Sequence, residues 1–198
     1  MVKHFTFLIL FIGVMVGSGW AQDTFYSHGD GSFTVVTWNT ARDGSGANAL
    51  ANDFTDGDDI FIIESGDEID QDAVLNIASF TIETNGSFVG SADNLTVNGN
   101  LEVQNASTFT ATSATTSVSG DVTVNGTFDA NGGIFAMQDA AAGVDNAELS
   151  GVANFNQLII NRIPDSEAVF LNAGGDQITA VSTAINGGTL KLTRINAA

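Results

Sequence analysis

The chain has no cysteine, one proline, two histidines, and five Lys or Arg against 23 Asp or Glu. Each scarcity excludes something. Without cysteine there is no disulfide framework, even in a compartment that would permit one. With only His4 and His28, and no thiol, a structural zinc site or a Cys-His nucleophile has nothing to build on. The lone proline, Pro164, gives no linker signal. The few bases (Lys3, Arg42, Arg162, Lys191, Arg194) leave a formal charge of −18. Such a surface repels nucleic acid and anionic lipid, stays soluble and attracts divalent cations. Helical periodicity is missing too. DAAAGVDNAEL at 139–149 comes closest, and Gly143 interrupts it.

The N-terminus has the pattern of a secretory signal peptide over residues 1–21. Lys3 and His4 give a short basic start, Phe5–Val16 is almost wholly apolar, and Gly17–Ala21 is a small-residue exit. Cleavage is expected before Gln22. The apolar run falls short of the ~20 residues that span a bilayer, and no later segment approaches that length. The expectation is an exported chain, secreted or at the cell surface, with no membrane insertion after signal removal. Loss of Lys3 makes it one unit more acidic. It is not a disordered acidic tail, because 43% of residues are hydrophobic. Residues 22–198 suffice for one sizeable core.

What the chain does have is a recurring phrase. LTVNGNLEV at 95–103 returns as VTVNGTFDA at 122–130, with echoes in FTIETNGSF at 80–88 and INGGTLKLT at 185–193. Alternating β-formers, Asn-Gly, then more alternation describes stacked or meandering β-structure. Strands are predicted at Phe33–Val36, Thr37–Asn39, Ile60–Ile63, Ser79–Glu83, Leu95–Val97, Leu101–Val103, Thr108–Thr112, Val122–Val124, Ile134–Met137, Leu158–Asn161, Ala168–Leu171 and Thr189–Leu192. The intervals Gly86–Gly99 and Gly99–Gly126 are unequal, as loops of variable length on a solenoid would make them. Two architectures compete. Asn-Gly is the strongest local hairpin signal, which favours an antiparallel β-sandwich. In a parallel β-helix the same pair turns a corner between successive strands of one coil.

Three stretches carry a resemblance: TFYSHGDGSFTVVTWNTARDGSG (24–46), GDDIFIIESGDEIDQDAVLNIASFTIETNGSF (57–88) and NFNQLIINRIPDSEAVFLNAGGDQITAVSTAINGGTLKLT (154–193). The chain resembles the N-terminal part of secreted, repeat-rich cell-surface proteins of Bacteroidetes-type bacteria, cargo of the type IX secretion route. The resemblance implies an all-β, right-handed parallel β-helix. Residues 22–58 would form an N-terminal capping segment and 59–198 the repeats. No type IX sorting domain is visible and the chain stops at Ala198 just after a strand, so further C-terminal domains are expected. Trp38, Ile60, Ile62, Leu75, Phe80, Ile82, Leu95, Val97, Val122, Val124, Leu158 and Ile160 should be buried. Leu95 and Val122, equally placed before Gly99 and Gly126, should share a ladder.

Candidate chemistry is sparse. Ser27, His28 and Asp30 are triad residue types, but triad members meet in space and are not such close neighbours in sequence; a turn in a Gly-rich loop is the expectation. Acids crowd 53–72: Asp53, Asp56, Asp58, Asp59, Glu64, Asp67, Glu68, Asp70 and Asp72. Hard oxygen donors suit Ca²⁺, although the spacing matches neither the EF-hand nor the glycine-rich nonapeptide repeat. Asp56, Asp58, Asp59 and Asp67 are the expected ligands; the alternative is a solvated acidic first coil. Thr108, Thr110, Thr112, Thr115 and Thr116 read as an exposed strand face. The sequons at Asn85, Asn94, Asn105 and Asn125 read as turn residues. A lyase would need cationic charge that this chain lacks. The expectation is therefore a structural or adhesive cell-surface protein without catalytic activity, meeting extracellular glycans or surface proteins. The alternative is the front part of a glycan-acting β-helix enzyme whose site lies outside this chain.

Overall fold

A computed structural model describes residues 22–139, 146–162, 167–172 and 177–194. Residues 1–21, where a signal peptide is expected, and the end at 195–198 lie outside the described residues, and so do the expectations placed on them. Three short strands open the fold: β1 (Thr24–His28), β2 (Gly31–Ser32) and β3 (Thr37–Asn39). Four three-strand coils follow. They are β4 (Ile60–Ile63), β5 (Glu68–Asp70), β6 (Leu75–Ile77); β7 (Ser79–Ile82), β8 (Ser87–Val89), β9 (Leu95–Val97); β10 (Leu101–Val103), β11 (Thr108–Thr110), β12 (Thr115–Val118); and β13 (Val122–Val124), β14 (Thr127–Asp129), β15 (Ile134–Gln138). A long β16 (Asn146–Asn161) begins the next coil, with β17 (Glu167–Asn172), β18 (Gln177–Gly187) and β19 (Thr189–Arg194) beyond it.

The fold is a parallel β-helix. β4, β7, β10, β13 and β16 pair in parallel on one face, β2, β5, β8, β11 and β14 on a second, and β6, β9, β12, β15 and β16 on a third. β16 serves two faces. It starts on the first, turns at Gly151 (φ +94°), passes beside β14 with Phe155 4.8 Å from Phe128, and joins the third at Gln157–Asn161, which merges the first and third into one 14-stranded sheet. The second face stops at β14 as a five-stranded sheet.

Asn98-Gly99 turns a corner. β9 and β10 each pair with strands one coil away and not with each other. Corners stack as rungs do: Gly120 N donates to Gly99 O at 2.9 Å. This rules out the sandwich. It also corrects the ladder. Leu95 pairs with Leu75 and Thr116, whereas Val122 pairs with Leu101 and Leu149. The two copies of the phrase occupy different corners, one between the third and first faces and the other between first and second. Their separation is therefore not one coil, which is close to 21 residues.

The core is a set of inward columns. Phe61, Phe80, Leu101, Val122 and Leu149 line the first face. Ile69, Phe88, Phe109 and Phe128 line the second, with Phe88–Phe109 and Phe109–Phe128 stacked at 5.4 and 5.5 Å. Ile77, Val97, Val118, Met137 and Ile160 line the third. Burial of Ile60 and Ile62 was expected, yet both are only half-buried and Phe61 and Ile63 point inward. In a run as uniformly apolar as IFII, alternation gives no phase, and the larger Phe61 fills the core. Phe33–Val36 is a second correction: the chain turns there, with Val35 and Val36 amides both donating to Ser32 O.

The N-terminal end is closed by aromatics. Phe33 packs on Trp38, Phe54 and Phe61 at 4.6, 5.6 and 5.3 Å, and Trp38 Nε1 donates to Phe33 O. β1 and β2 are themselves rungs, on β4 and β5, before β3 turns back antiparallel on β1. Residues 22–58 thus both start the ladder and close it.

Candidate metal centre at the N-terminal end

The acidic stretch divides into two populations. Several carboxylates hold backbone turns. Asp67 accepts from Ser27 Oγ (2.6 Å) and Gly29 N (3.1 Å), Asp72 from Thr34 N (3.0 Å), and Asp30 from Glu68 N (2.8 Å). Asp67 is therefore engaged between β1 and β5, apart from the other expected ligands. The second population gathers beside the first rung.

Its frame is the turn before β4. Asp53 Oδ2 accepts from Leu50 N (2.7 Å), and Thr55 N and Asp56 N both donate to Asn52 O. Asp59 enters from the start of β4, its Oδ1 accepting from Asp23 N (2.8 Å) and its own carbonyl from Ala78 N. Asp53, Asp56 and Asp59 each place a carboxylate oxygen within 4.8 Å of the others. Asp23, Leu50, Asn52 and Asp58 complete the lining of a concavity of about 270 Å³. Of the four expected ligands, the fold thus joins Asp56 and Asp59 in one oxygen cluster, sets Asp58 on its wall and leaves Asp67 outside. Asp53, one of the crowd of acids but not an expected ligand, takes the fourth place.

The electrostatics follow from burial. Asp59 is almost fully covered, and desolvation pushes its carboxyl up to about 6, opposed by the Asp23 amide and reinforced by Asp53, Asp56 and Asp58. Asp58 is also raised, first through its hydrogen bond with Asp56. Oxygens around Ca²⁺ at about 2.3–2.6 Å stand up to roughly 5 Å from one another. The donor set here, all hard oxygen with one carboxylate desolvated, fits such an ion in chemistry and in spacing.

Ser27, His28 and Asp30 do not assemble a triad. Ser27 is fully buried on β1, donating to Asp67 and accepting from Glu64 N (2.8 Å). The His28 ring meets Ala41 O (3.2 Å), and its Nδ1 lies 3.9 Å from Glu64. Ser27 and His28 belong to β1, and Asp30 lies in the bend between β1 and β2, so of the three only Asp30 sits in the Gly-rich turn expected for them. Thr108 and Thr110 are outward residues of β11, but Thr112 and Thr116 are buried, contrary to the exposed face expected. The outward columns Glu68–Ser87–Thr108–Thr127 and Asp70–Val89–Thr110–Asp129 hold no continued threonine array.

One cluster went unread in the sequence. Arg42 lies 4.3 Å over the Tyr26 ring and bonds Glu64 (3.1 Å) and both oxygens of Glu83. It fastens the 40–48 loop to the outside of the first face, and Glu83 holds its guanidinium well above the ordinary range. A signal existed, since Arg42 is the only Lys or Arg between residues 4 and 161. At the other end Arg162 is buried, donating to Ser119 O (3.2 Å) and Gln138 O (2.9 Å) and lying 3.6 Å from Asp139. No helix among the described residues is long and apolar enough to cross a membrane. Compared with known proteins, the chain matches no family model, no curated protein and no solved structure.

Proposed function

We propose that this chain is an exported structural or adhesive β-repeat of a bacterial cell surface, with no catalytic activity of its own. The observation that carries the reading is the use made of the chain. Coil after coil, inward residues fill a continuous core, and most outward strand positions are polar, such as Asn76, Thr96, Glu102, Thr108 and Thr123, with Ile60, Ile62 and Val89 among the apolar exceptions. Such a rod extends by stacking and offers long faces to a partner. The signal-peptide pattern of residues 1–21 and the resemblance to type IX cargo support surface display. Extracellular glycans or other surface proteins are the partners proposed. Calcium is the ion proposed for Asp53, Asp56 and Asp59, with Asp58 at the wall; there it would offset carboxylate repulsion beside the first rung.

The test is fractionation of the producing cell combined with protease shaving of intact cells. Peptides from 22–162 should be released from intact cells, and the mature chain should begin at Gln22. A cytoplasmic chain that keeps Met1–Ala21 would overturn the export reading. Beads coated with the purified chain should be retained on isolated cell-surface glycan or protein. Hydrolysis of such glycan by the chain would instead make it an enzyme.

A further inference from the structure

The sequence holds five Asn-Gly pairs, at 85–86, 98–99, 125–126, 131–132 and 186–187. All five share the same intrinsic chemistry. The deprotonated backbone nitrogen of the glycine can attack the asparagine Cγ, expelling ammonia and closing a succinimide. Water then opens the ring at either carbonyl, giving aspartate or isoaspartate. The reaction needs a free glycine amide and a free side-chain amide, and the fold grants these unequally.

Four of the pairs are held. Gly86 N donates to Glu83 O (2.8 Å), and the glycine is buried. The Asn98 side chain donates to Gly57 O (2.9 Å) and Asn76 Oδ1 (3.1 Å). Gly126 N donates to Val103 O (3.2 Å). Asn186 is within β18, and Gly187 pairs with Asn161 in the ladder. The fifth differs. Asn131 and Gly132 form the exposed corner between β14 and β15, both at positive φ (45° and 73°). Among the described residues nothing bonds the Asn131 side chain or the Gly132 amide, and the space beside Gly132 is open. The only fixed polar atom of Asn131 is its own backbone nitrogen, which donates to Asp129 Oδ1 (2.9 Å).

We propose that Asn131 is the site at which this chain modifies itself, through a succinimide with Gly132, to aspartate and isoaspartate. The product adds a negative charge beside Asp129, and the isoaspartyl form lengthens the main chain within a tight corner.

The test is peptide mapping of the purified chain after incubation in mildly alkaline buffer, folded and in urea, with isoaspartyl methyltransferase labelling to mark the product. In the folded chain Asn131 should convert about fivefold faster than Asn85, Asn98 or Asn125, the worth of one hydrogen bond on a rate. In urea the sites should draw together. Equal rates in the folded chain would overturn the proposal. So would an equal lead for Asn131 in urea, since the following Gly132-Gly133 sequence rather than the fold would then set the order. Asn131→Gln should abolish labelling of that peptide, because the larger ring closes slowly; labelling that persists would place the site elsewhere.

Discussion

At the scale of the residue, Asp59 is where burial and charge conflict. Its carboxyl is raised from 3.8 to about 6, so the neutral form is the one the fold prefers. The sign follows directly. Stability from this group is complete below its unfolded value near 3.8 and is lost as pH rises through about 6. In chelator, the midpoint of thermal unfolding should therefore fall across that window, and Asp59→Asn, which keeps the oxygen that accepts from Asp23 N, should flatten the fall. A pH response that survives Asp59→Asn would locate the titration elsewhere. An ion at Asp53, Asp56 and Asp59 reverses the conflict. Binding only the native state stabilises by about 2.7 kcal/mol at a hundredfold excess over Kd, roughly 2–4 °C per kcal/mol for a chain of this size. At matched ionic strength, millimolar Ca²⁺ should raise the midpoint more than Mg²⁺, which demands stricter geometry. Asp53→Asn with Asp59→Asn should remove the difference, whereas Asp67→Asn should leave it. Equal shifts by both ions would reduce the cluster to a screened acidic edge. The crowding of acids was legible in the sequence, but their sorting was not. Whether Asp67 faces an ion or Ser27 depends on a contact 40 residues away in sequence.

At the scale of the element, legibility was uneven. Leu95–Val97, Leu101–Val103 and Val122–Val124, each with two inward apolar residues, were found at their true bounds, whereas Leu75–Ile77, with the same pattern, was missed. The second-face strands β5, β8 and β14 have one inward residue each, Ile69, Phe88 and Phe128, and a single apolar position carries no period. The aromatic column they build is invisible without the register. That column should nonetheless be costly to interrupt. Phe109 is fully buried between Phe88 and Phe128, so Phe109→Ala should lower unfolding free energy by about 3–5 kcal/mol. Gly151 makes a second, sharper test. It turns β16 from one face to another at positive φ, and a Cβ there would meet Val124 O. Gly151→Ala should cost about 1–3 kcal/mol from backbone strain, and more where the Val124 strand must move. Denaturant curves for the two variants check both values, and a neutral Gly151→Ala would mean that β16 does not turn there.

At the scale of the whole molecule, the two ends of the rod differ. The N-terminal end has a double closure, the Phe33–Trp38–Phe54–Phe61 aromatic cluster inside and the Arg42 bonds to Glu64 and Glu83 outside. The inward side chains of β4 and β7, Phe61, Ile63, Phe80 and Ile82, are all fully buried. β18 is different: its burial alternates only between half-buried and exposed, with Val181 86% and Ile185 52% exposed. In a stacked array each coil is stabilised only by its neighbours, so stability need not be uniform along the axis. The chain should therefore open from the β18 end. Native-state hydrogen exchange should find amides of β18 exchanging through small local openings, those of β10 and β13 through larger ones, and those of β4 and β7 only near global unfolding. Calcium, if it acts at Asp53, Asp56 and Asp59, should slow exchange in β4 and β7 and leave β18 unchanged, because the ion binds a unit that β18 opening does not disturb. A single free energy of opening shared by all strands, moved as one by calcium, would show instead that the coils unfold as one cooperative body and that the aromatic closure confers no local advantage.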